Sequence, residues 1–193
     1  MKKIFLTLFL VSFCFGDYIK IGEYRFNQDQ ISNFKKAYIY GNLIGHSKEI
    51  MAILWVESRG KNITVGDTSL KPFKRSYGPM QVKLQTYQWM KRNGWSVALP
   101  GDIVEEDELI ELVVNQNFNI SVGTAYFQYM KKLCGSVDKA ISGYNRGNCE
   151  ESQKGKAYRK RVKNFIKYLD NSLFLDYIKK EISYTDNDDV EKN

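Results

Sequence analysis

Apolar residues recur at helical spacing along most of this chain, whereas alternating, strand-like stretches are short. One example has apolar side chains three, four and seven positions apart, as a helix face requires: Tyr158, Val162, Phe165, Ile166 and Leu169. Such stripes predict helices at residues 28–40, 48–58, 83–92, 105–117, 120–133, 137–144, 158–169 and 173–182. Ser47 and Ser136 are expected to cap the second and sixth of these helices, and Gly41 to end the first. The pattern predicts an all-α fold with no internal repeat.

Three stretches depart from this pattern. Residues 17–27 read as a short extended segment whose aromatic and aliphatic side chains can pack on a core. Residues 61–77 form a polar loop, and residues 185–193 are polar and mostly acidic, which predicts a disordered tail.

One helical stripe contains a carboxylate. Ile50, Ile53, Leu54 and Glu57 fall at i, i+3, i+4 and i+7, so Glu57 continues the apolar face of its helix. Desolvation there disfavours the charged form and raises the pKa of the carboxyl. A raised pKa suits a general acid that cleaves a glycosidic bond near neutral pH. The alternative is a structural glutamate paired with a Lys or Arg at a helix end.

The N-terminus has the pattern of an export signal. Lys2 and Lys3 precede an apolar run at residues 4–15, which is shorter than the roughly 20 residues of a membrane span. We therefore predict a signal peptide at residues 1–16, cleaved after Gly16, and a periplasmic or exported protein with no stable membrane span after cleavage. Lipid attachment at Cys14, an uncleaved anchor and a buried first helix are the alternatives.

Composition narrows the chemistry. The chain has 193 residues, of which 43% are hydrophobic, and this suits a single globular domain. Its net charge of +7 falls to +5 once Lys2 and Lys3 are removed with the signal. A single histidine disfavours a zinc site, and the absence of CxxC, Walker and GxGxxG motifs disfavours thiol-redox and nucleotide chemistry. No cofactor and no metal are expected, and catalysis should rest on carboxylates.

Two further features have structural interpretations. After export the chain keeps Cys134 and Cys149, an even pair that predicts a disulfide in an oxidising compartment, with two unpaired thiols as the alternative. The basic stretch at residues 154–167 is expected to be a solvated helix face attracted to an anionic envelope. Export disfavours nucleic acid as its partner.

Four short elements occur in an order that resembles the lytic transglycosylase SLT domain family, which is related to goose-type lysozyme. They are VES at 56–58, SYGPMQ at 76–81, NISVG at 119–123 and SGYNRG at 142–147. The resemblance covers about residues 43–170 and implies a single compact, mostly helical, lysozyme-like domain with a central catalytic cleft, all-α within the α+β lysozyme-like superfamily. Residues 17–42 then form an N-terminal extension packing on this domain, and residues 171–184 a C-terminal helix.

The resemblance also implies an activity on peptidoglycan. Glu57 matches the family's single acid/base, which cleaves the β-1,4 bond between N-acetylmuramic acid (MurNAc) and N-acetylglucosamine (GlcNAc) and leaves a 1,6-anhydro sugar. The implied substrate-binding residues are Ser58, Gly78, Met80, Gln81, Tyr144 and Asn145. A short wall-opening enzyme of this kind suggests a secretion or conjugation apparatus as its partner.

Departures from the family pattern leave alternatives open. Pro79 and Arg146 replace the usual Leu and Ala, and the long spacing between Glu57 and Gly78 implies a longer loop that contains Asp67. If Asp67 faced Glu57 it could activate water, as in a lysozyme-type muramidase; its other interpretation is an Asx-turn residue. A non-catalytic, peptidoglycan-binding assembly factor is the remaining alternative.

Overall fold

A computed structural model describes residues 18–62, 64–95 and 107–188, with side chains described as far as residue 183. About 69% of the described residues are helical, which confirms the mostly helical class. The predicted signal peptide and the last five residues of the predicted tail lie outside the described residues.

Helices and short strands follow one another in a simple order. The helices are α1 (Gln28–Leu43), α2 (Ser47–Ser58), α3 (Leu84–Arg92), α4 (Glu108–Val114), α5 (Gln116–Cys134), α6 (Val137–Arg146), α7 (Gln153–Asn171) and α8 (Phe174–Asp188). The strands are β1 (Tyr18–Ile21), β2 (Tyr24–Asn27), β3 (Val65–Gly66), β4 (Ser76–Tyr77) and β5 (Val82–Lys83), with a 3₁₀ turn at Pro72–Lys74. Strands β1 and β2 form an antiparallel hairpin, and β3, β4 and β5 form an antiparallel sheet in that order.

The predicted helices are present, but several predicted boundaries are wrong. Helix α4 ends at Val114 and not at residue 117, α5 begins at Gln116 and not at residue 120, and α7 begins at Gln153 and not at residue 158. Helix α1 does not end at Gly41; it runs on to Leu43, because Gly41 serves close packing instead. A Cβ at Gly41 would lie 2.6 Å from Cα of Ser47, so only glycine lets α1 and α2 meet there. Ser47 is not the cap of α2 but its first residue, and the capping position is His46, whose side chain makes no capping hydrogen bond.

An aromatic cluster joins the N-terminal segment to the helices. Phe26 of β2 stacks on Phe174 of α8 with ring centres 4.4 Å apart, and Trp55 of α2 stacks on Phe165 of α7 at 4.7 Å. Phe34 of α1 contacts both pairs. The core is therefore continuous across the boundary predicted between residues 42 and 43.

The C-terminal half consists of helices that pack on one another and on α1 and α2. Helix α5 packs against α1 and α6, and α7 packs against α2 and α6. Cys134, the last residue of α5, is joined by a disulfide to Cys149, which follows α6. Helix α8 extends to Asp188, so the first four positions of the predicted tail are helical. Within the described ranges, no helix is both long and apolar enough to cross a membrane.

Candidate active site

Glu57 lies on the last turn of α2, where the helix is about to end. Arg59 takes the left-handed conformation that terminates α2, with φ of 60°, and Gly60 follows with φ of 75°. The residues before Glu57 are fully buried from Ile50 to Leu54, so the carboxyl emerges from an apolar helix at the edge of the core. Glu57 therefore lies at the end of the apolar face of α2, where the helical spacing of Ile50, Ile53 and Leu54 predicts it.

The Glu57 carboxyl has one direct partner among the described side chains. The Tyr158 hydroxyl, buried at the start of the apolar stripe of α7, donates a hydrogen bond of 2.6 Å to Oε1 of Glu57. Burial raises the pKa of Glu57 to about 7, against the lowering effects of this hydrogen bond and of the Arg161 charge. The group therefore exchanges its proton near neutral pH, as a general acid and base must.

A cavity of about 420 Å³ opens beside Glu57. It is lined by parts of β3–β5, α3, α5 and the end of α6, so the small sheet forms one wall and the helices the other. The described residues that line it are Glu57, Gly66, Asp67, Ser76, Gln81, Val82, Lys83, Thr86, Tyr126, Tyr144, Asn145, Arg146 and Gly147. The lining is largely polar, and this suits a hydroxyl- and amide-bearing ligand such as a sugar.

Tyr144 lines the cavity and connects α6 to the turn between β4 and β5. Its buried hydroxyl donates to the carbonyl oxygen of Met80 at 2.9 Å. Burial, and after it the Glu57 charge, raises the pKa of Tyr144 well above its usual value, so this phenol stays a neutral donor. Gly123 makes the contact possible, because a Cβ there would lie 2.6 Å from Cβ of Met80 and 2.9 Å from Oη of Tyr144.

Asn119 forms three hydrogen bonds that hold the same wall together. Its buried side chain accepts from the Met80 backbone N–H at 2.8 Å and donates to the carbonyl oxygens of Tyr77 at 2.8 Å and Leu112 at 2.9 Å. Gly78 packs against this amide in the left-handed region, with φ of 69°, and a Cβ there would lie 2.4 Å from Nδ2 of Asn119. The NISVG and SYGPMQ elements are thus two halves of one contact.

Gln81 secures the turn between β4 and β5. Its backbone has φ of 51°, and its amide nitrogen donates to Thr64 Oγ1 and to the Gly78 carbonyl oxygen, both at 2.9 Å. Its amide oxygen accepts from Ser76 Oγ at 2.9 Å. The side chain lines the cavity, but its polar atoms already hold the sheet together.

The family model for the transglycosylase SLT domain matches residues 34–166, more than half of the chain. The chain belongs to this family. No curated protein and no solved structure matches it significantly. As an SLT domain, it is a transglycosylase-type enzyme with peptidoglycan as its class of substrate, and the Cys134–Cys149 disulfide fits an extracytoplasmic protein.

Of the residues predicted for the site, Glu57, Gln81, Tyr144 and Asn145 line one cavity. Ser58 does not line it. Its buried hydroxyl donates to the Leu54 carbonyl oxygen at 3.3 Å and accepts from the Gly60 N–H at 3.0 Å, so it terminates α2. Gly78 and Met80 lie behind the wall, among the groups that Asn119 holds.

Asp67 also lines the cavity of the SLT domain. The Leu70 N–H donates to its carbonyl oxygen at 2.8 Å, so the residue begins a turn, and its carboxylate forms an ion pair with Lys83 at 3.2 Å. The negative charge of Asp67 contributes to the raised pKa of Glu57. Asp67 is therefore both a turn residue and a second carboxylate in the cleft.

Tyr158, the hydrogen-bond partner of Glu57, is a site residue that sequence reasoning missed, as are Thr86 and Tyr126 of the cavity lining. The sequence identifies Tyr158 only as the first member of the apolar stripe of α7. A fully buried tyrosine hydroxyl needs a partner, and this requirement is the signal that could have singled it out. Among the described residues, no group of three or more His, Cys, Asp or Glu side chains is placed to hold a metal ion.

Proposed function

We propose that this protein is a lytic transglycosylase that cleaves the MurNAc–GlcNAc β-1,4 bond of peptidoglycan and forms 1,6-anhydroMurNAc, with Glu57 as the single general acid and base. The observation that carries the proposal is the Glu57 carboxyl, which lines the cavity and has a pKa of about 7. Such a group can donate a proton and take one back in the same catalytic cycle.

The proposed reaction uses one carboxyl twice. Protonated Glu57 gives its proton to the glycosidic oxygen as the bond from that oxygen to the muramyl C1 breaks. The resulting carboxylate then removes the proton from the muramyl C6 hydroxyl, whose oxygen forms a bond to C1. No water is consumed, and the carboxyl returns to its protonated state. A second carboxylate is not required because the nucleophile belongs to the substrate, in contrast to the two-carboxylate scheme.

The other predicted substrate-binding residues then divide into two groups. Asn145 lines the cavity beside Glu57, and we propose that its amide contacts the sugar. Tyr144 and Gln81 line the cavity with their polar atoms already engaged, so they shape the wall. Ser58, Gly78 and Met80 support that wall from within the fold.

Product analysis tests the proposal. The protein is incubated with peptidoglycan sacculi, and the soluble muropeptides are weighed by mass spectrometry. We expect products that end in anhydromuramic acid, each one water lighter than a hydrolytic product. Glu57→Gln should release none, whereas Glu49→Gln, at the other end of α2, should behave as the parent. Full clearing activity in Glu57→Gln would overturn the mechanism and favour a non-catalytic or differently catalysed role.

A hydrolytic muramidase is the second candidate, because Asp67 shares the cavity with Glu57 and its charge acts on Glu57. In that mechanism Asp67 would activate water, and the products would carry reducing muramic acid ends. Asp67→Asn distinguishes the two. Under our proposal the variant still yields anhydro products, whereas loss of all product together with reducing ends from the parent would favour hydrolysis.

Export and a role at an envelope-spanning apparatus extend the proposal to the cell. Export is supported by the sequence pattern at residues 1–16 and by the disulfide that fits an oxidising compartment, whereas the role at an apparatus rests on the family resemblance alone. Fractionation of cells that produce the full chain tests export directly: we expect a processed protein, shortened by 16 residues, in the periplasmic or secreted fraction.

A further inference from the structure

A second cavity, of about 330 Å³, lies on another side of α2 from the catalytic cleft. Val56, next in sequence to Glu57, lines it, but none of its lining residues is shared with the catalytic cavity. Its walls come from the β1–β2 hairpin, the end of α2 and the exposed side of α7. We call it the arginine cavity, after Arg59 and Arg161 at its rim.

The arginine cavity combines a rigid aromatic floor with two cations. Trp55 and Phe165 stack with ring centres 4.7 Å apart, and Tyr24 packs edge-on against Trp55 at 4.8 Å. The Arg59 guanidinium lies over the Trp55 ring at 4.5 Å. This contact fixes the orientation of a charged fork that is otherwise on an exposed residue.

The two arginines have unused binding capacity. In the part of the chain that the structure describes, neither guanidinium forms an ion pair with a carboxylate. Glu23, the acidic residue in the lining, hydrogen-bonds with Tyr24. Because a guanidinium is planar and presents paired N–H groups, two of them at one cavity match a carboxylate.

The cavity is also close to the reacting bond. The Arg161 Cζ atom lies 5.5 Å from the ring centre of Tyr158, and the hydroxyl of that ring lies 2.6 Å from Oε1 of Glu57. A peptide of three residues spans roughly 10 Å when extended. The Tyr158 ring between the two sites is buried, so a chain attached to a sugar held at Glu57 has to pass over it at the surface to bring its charged end to Arg59 and Arg161.

We propose that the arginine cavity binds a free carboxylate of the peptide stem that peptidoglycan carries on its muramyl sugars. The inference rests on the proposed function, which supplies the substrate. On a stem-bearing strand the lactyl carboxyl of each muramyl sugar is bound in the amide to the stem, so the stem is the part of this substrate that offers free carboxylates. When an amidase removes the stem, the lactyl carboxylate is freed, but it stays next to the sugar ring and lacks the reach of a stem. The cavity then selects strands that still carry stems over strands that have lost them.

The test measures binding in the Glu57→Gln background, where the substrate is not cleaved. Stem-bearing glycan oligomers are compared with oligomers of equal length from which an amidase has removed the stems. We expect the double change Arg59→Gln and Arg161→Gln to weaken binding of stem-bearing oligomers by about tenfold or more, and to leave binding of stripped oligomers unchanged. Lys160→Gln is the matched control, since this exposed neighbour on α7 carries the same charge but does not line the cavity.

Two results would overturn the proposal. One is a double variant that binds stem-bearing oligomers as tightly as the background protein. The other is an equal loss for both kinds of oligomer or in Lys160→Gln, which would indicate general attraction between charges.

A measurement on the unaltered protein keeps the test independent of folding. Free stem peptide and its carboxamide analogue are titrated into the full chain by calorimetry. We expect binding of the free carboxylate peptide only; equal binding of both, or binding of neither, would overturn the site. A failure to form anhydro products would overturn the proposed function and leave this titration interpretable.

Discussion

The Tyr158 hydroxyl and the Glu57 carboxyl form a 2.6 Å hydrogen bond across 101 positions of sequence. Packing of α7 against α2 brings them together. The hydrogen bond favours the ionised carboxylate, whereas burial favours the neutral acid, and burial has the larger effect on the pKa of Glu57. Tyr158 is therefore a positioning residue that also limits how far that pKa rises.

Tyr158→Phe should shift the pH dependence of the reaction. Removing the hydroxyl removes an interaction that lowers the pKa of Glu57, so the carboxyl should stay protonated to higher pH. We expect the alkaline limb of the peptidoglycan-clearing rate to move upward from about pH 7, and the maximal rate to fall because the carboxyl is less well held.

The matched control is Tyr168→Phe, on the same helix. Its hydroxyl donates to the Ile21 carbonyl oxygen at 2.8 Å, away from the cleft. It should lose stability of about 1 kcal/mol without moving the alkaline limb. An alkaline limb that stays in place in Tyr158→Phe would contradict the role assigned to this hydrogen bond.

The raised pKa of Glu57 also predicts a cost in stability that depends on pH. Its folded value of about 7 lies above the ordinary 4.5, so between these values the folded protein holds a proton that the unfolded chain has lost. The stabilisation that the folded protein gains from the neutral Glu57 carboxyl is fully present below about pH 4.5 and is lost as pH rises through 7. At pH 8 the buried carboxylate should therefore destabilise the fold by about 3 kcal/mol relative to its neutral form.

Glu57→Gln should accordingly be more stable than the parent at pH 8, by up to about 3 kcal/mol in the free energy of unfolding. The advantage should shrink as pH falls, because the parent carboxyl becomes neutral too. Urea unfolding at pH 8 and at pH 4.5 measures both differences. A stability difference that is the same at the two pH values would show that Glu57 titrates normally in the folded state.

The sequence was sufficient for some parts of the site and not for others. Glu57 could be found because its apolar neighbours lie on its own helix, within one periodic pattern. The Cys134–Cys149 pair could be found by counting. Tyr158 could not be found in this way, because the packing of α7 on α2 determines its partner. A tyrosine in an apolar stripe is also an ordinary core residue. Gly41 was misinterpreted for the same reason: its neighbour is Ser47 of the next helix.

Asn119 shows the same limit, since its three partners come from two other segments, residues 77–80 and α4. Asn119→Ala would leave the Met80 N–H and the carbonyl oxygens of Tyr77 and Leu112 without their hydrogen bonds. Because a buried group left unsatisfied costs about 1–3 kcal/mol, we expect a loss of at least about 3 kcal/mol in the free energy of unfolding. Activity should fall as well, since Met80 and Gln81 would lose their support.

Chemical unfolding and clearing assays measure these two effects. Asn171→Ala is the control, because that exposed amide donates only to the Lys167 carbonyl oxygen near the end of α7. It should change stability by less than about 0.5 kcal/mol. If Asn119→Ala were as mild as this control, the wall of the cleft would not depend on Asn119.

The disulfide should stabilise the part of the fold that carries Tyr144 and Asn145. Cys134 and Cys149 close a loop of 15 positions that contains all of α6, and the chain-entropy relation assigns such a loop about 3 kcal/mol. Replacing both cysteines with serine should lower the melting temperature by about 10 °C. It should also reduce clearing activity, because α6 is then less firmly held against the cleft.

Reductant separates the bond from the substitutions themselves. Treating the parent with a thiol reductant should lower its melting temperature toward that of the double serine variant, while the variant should not respond to reductant at all. If the parent kept its melting temperature after both thiols had become titratable, the packing of α5 against α6 would be sufficient to hold the loop without the covalent bond. The entropy lost from the unfolded chain would then not be what stabilises the wall bearing Tyr144.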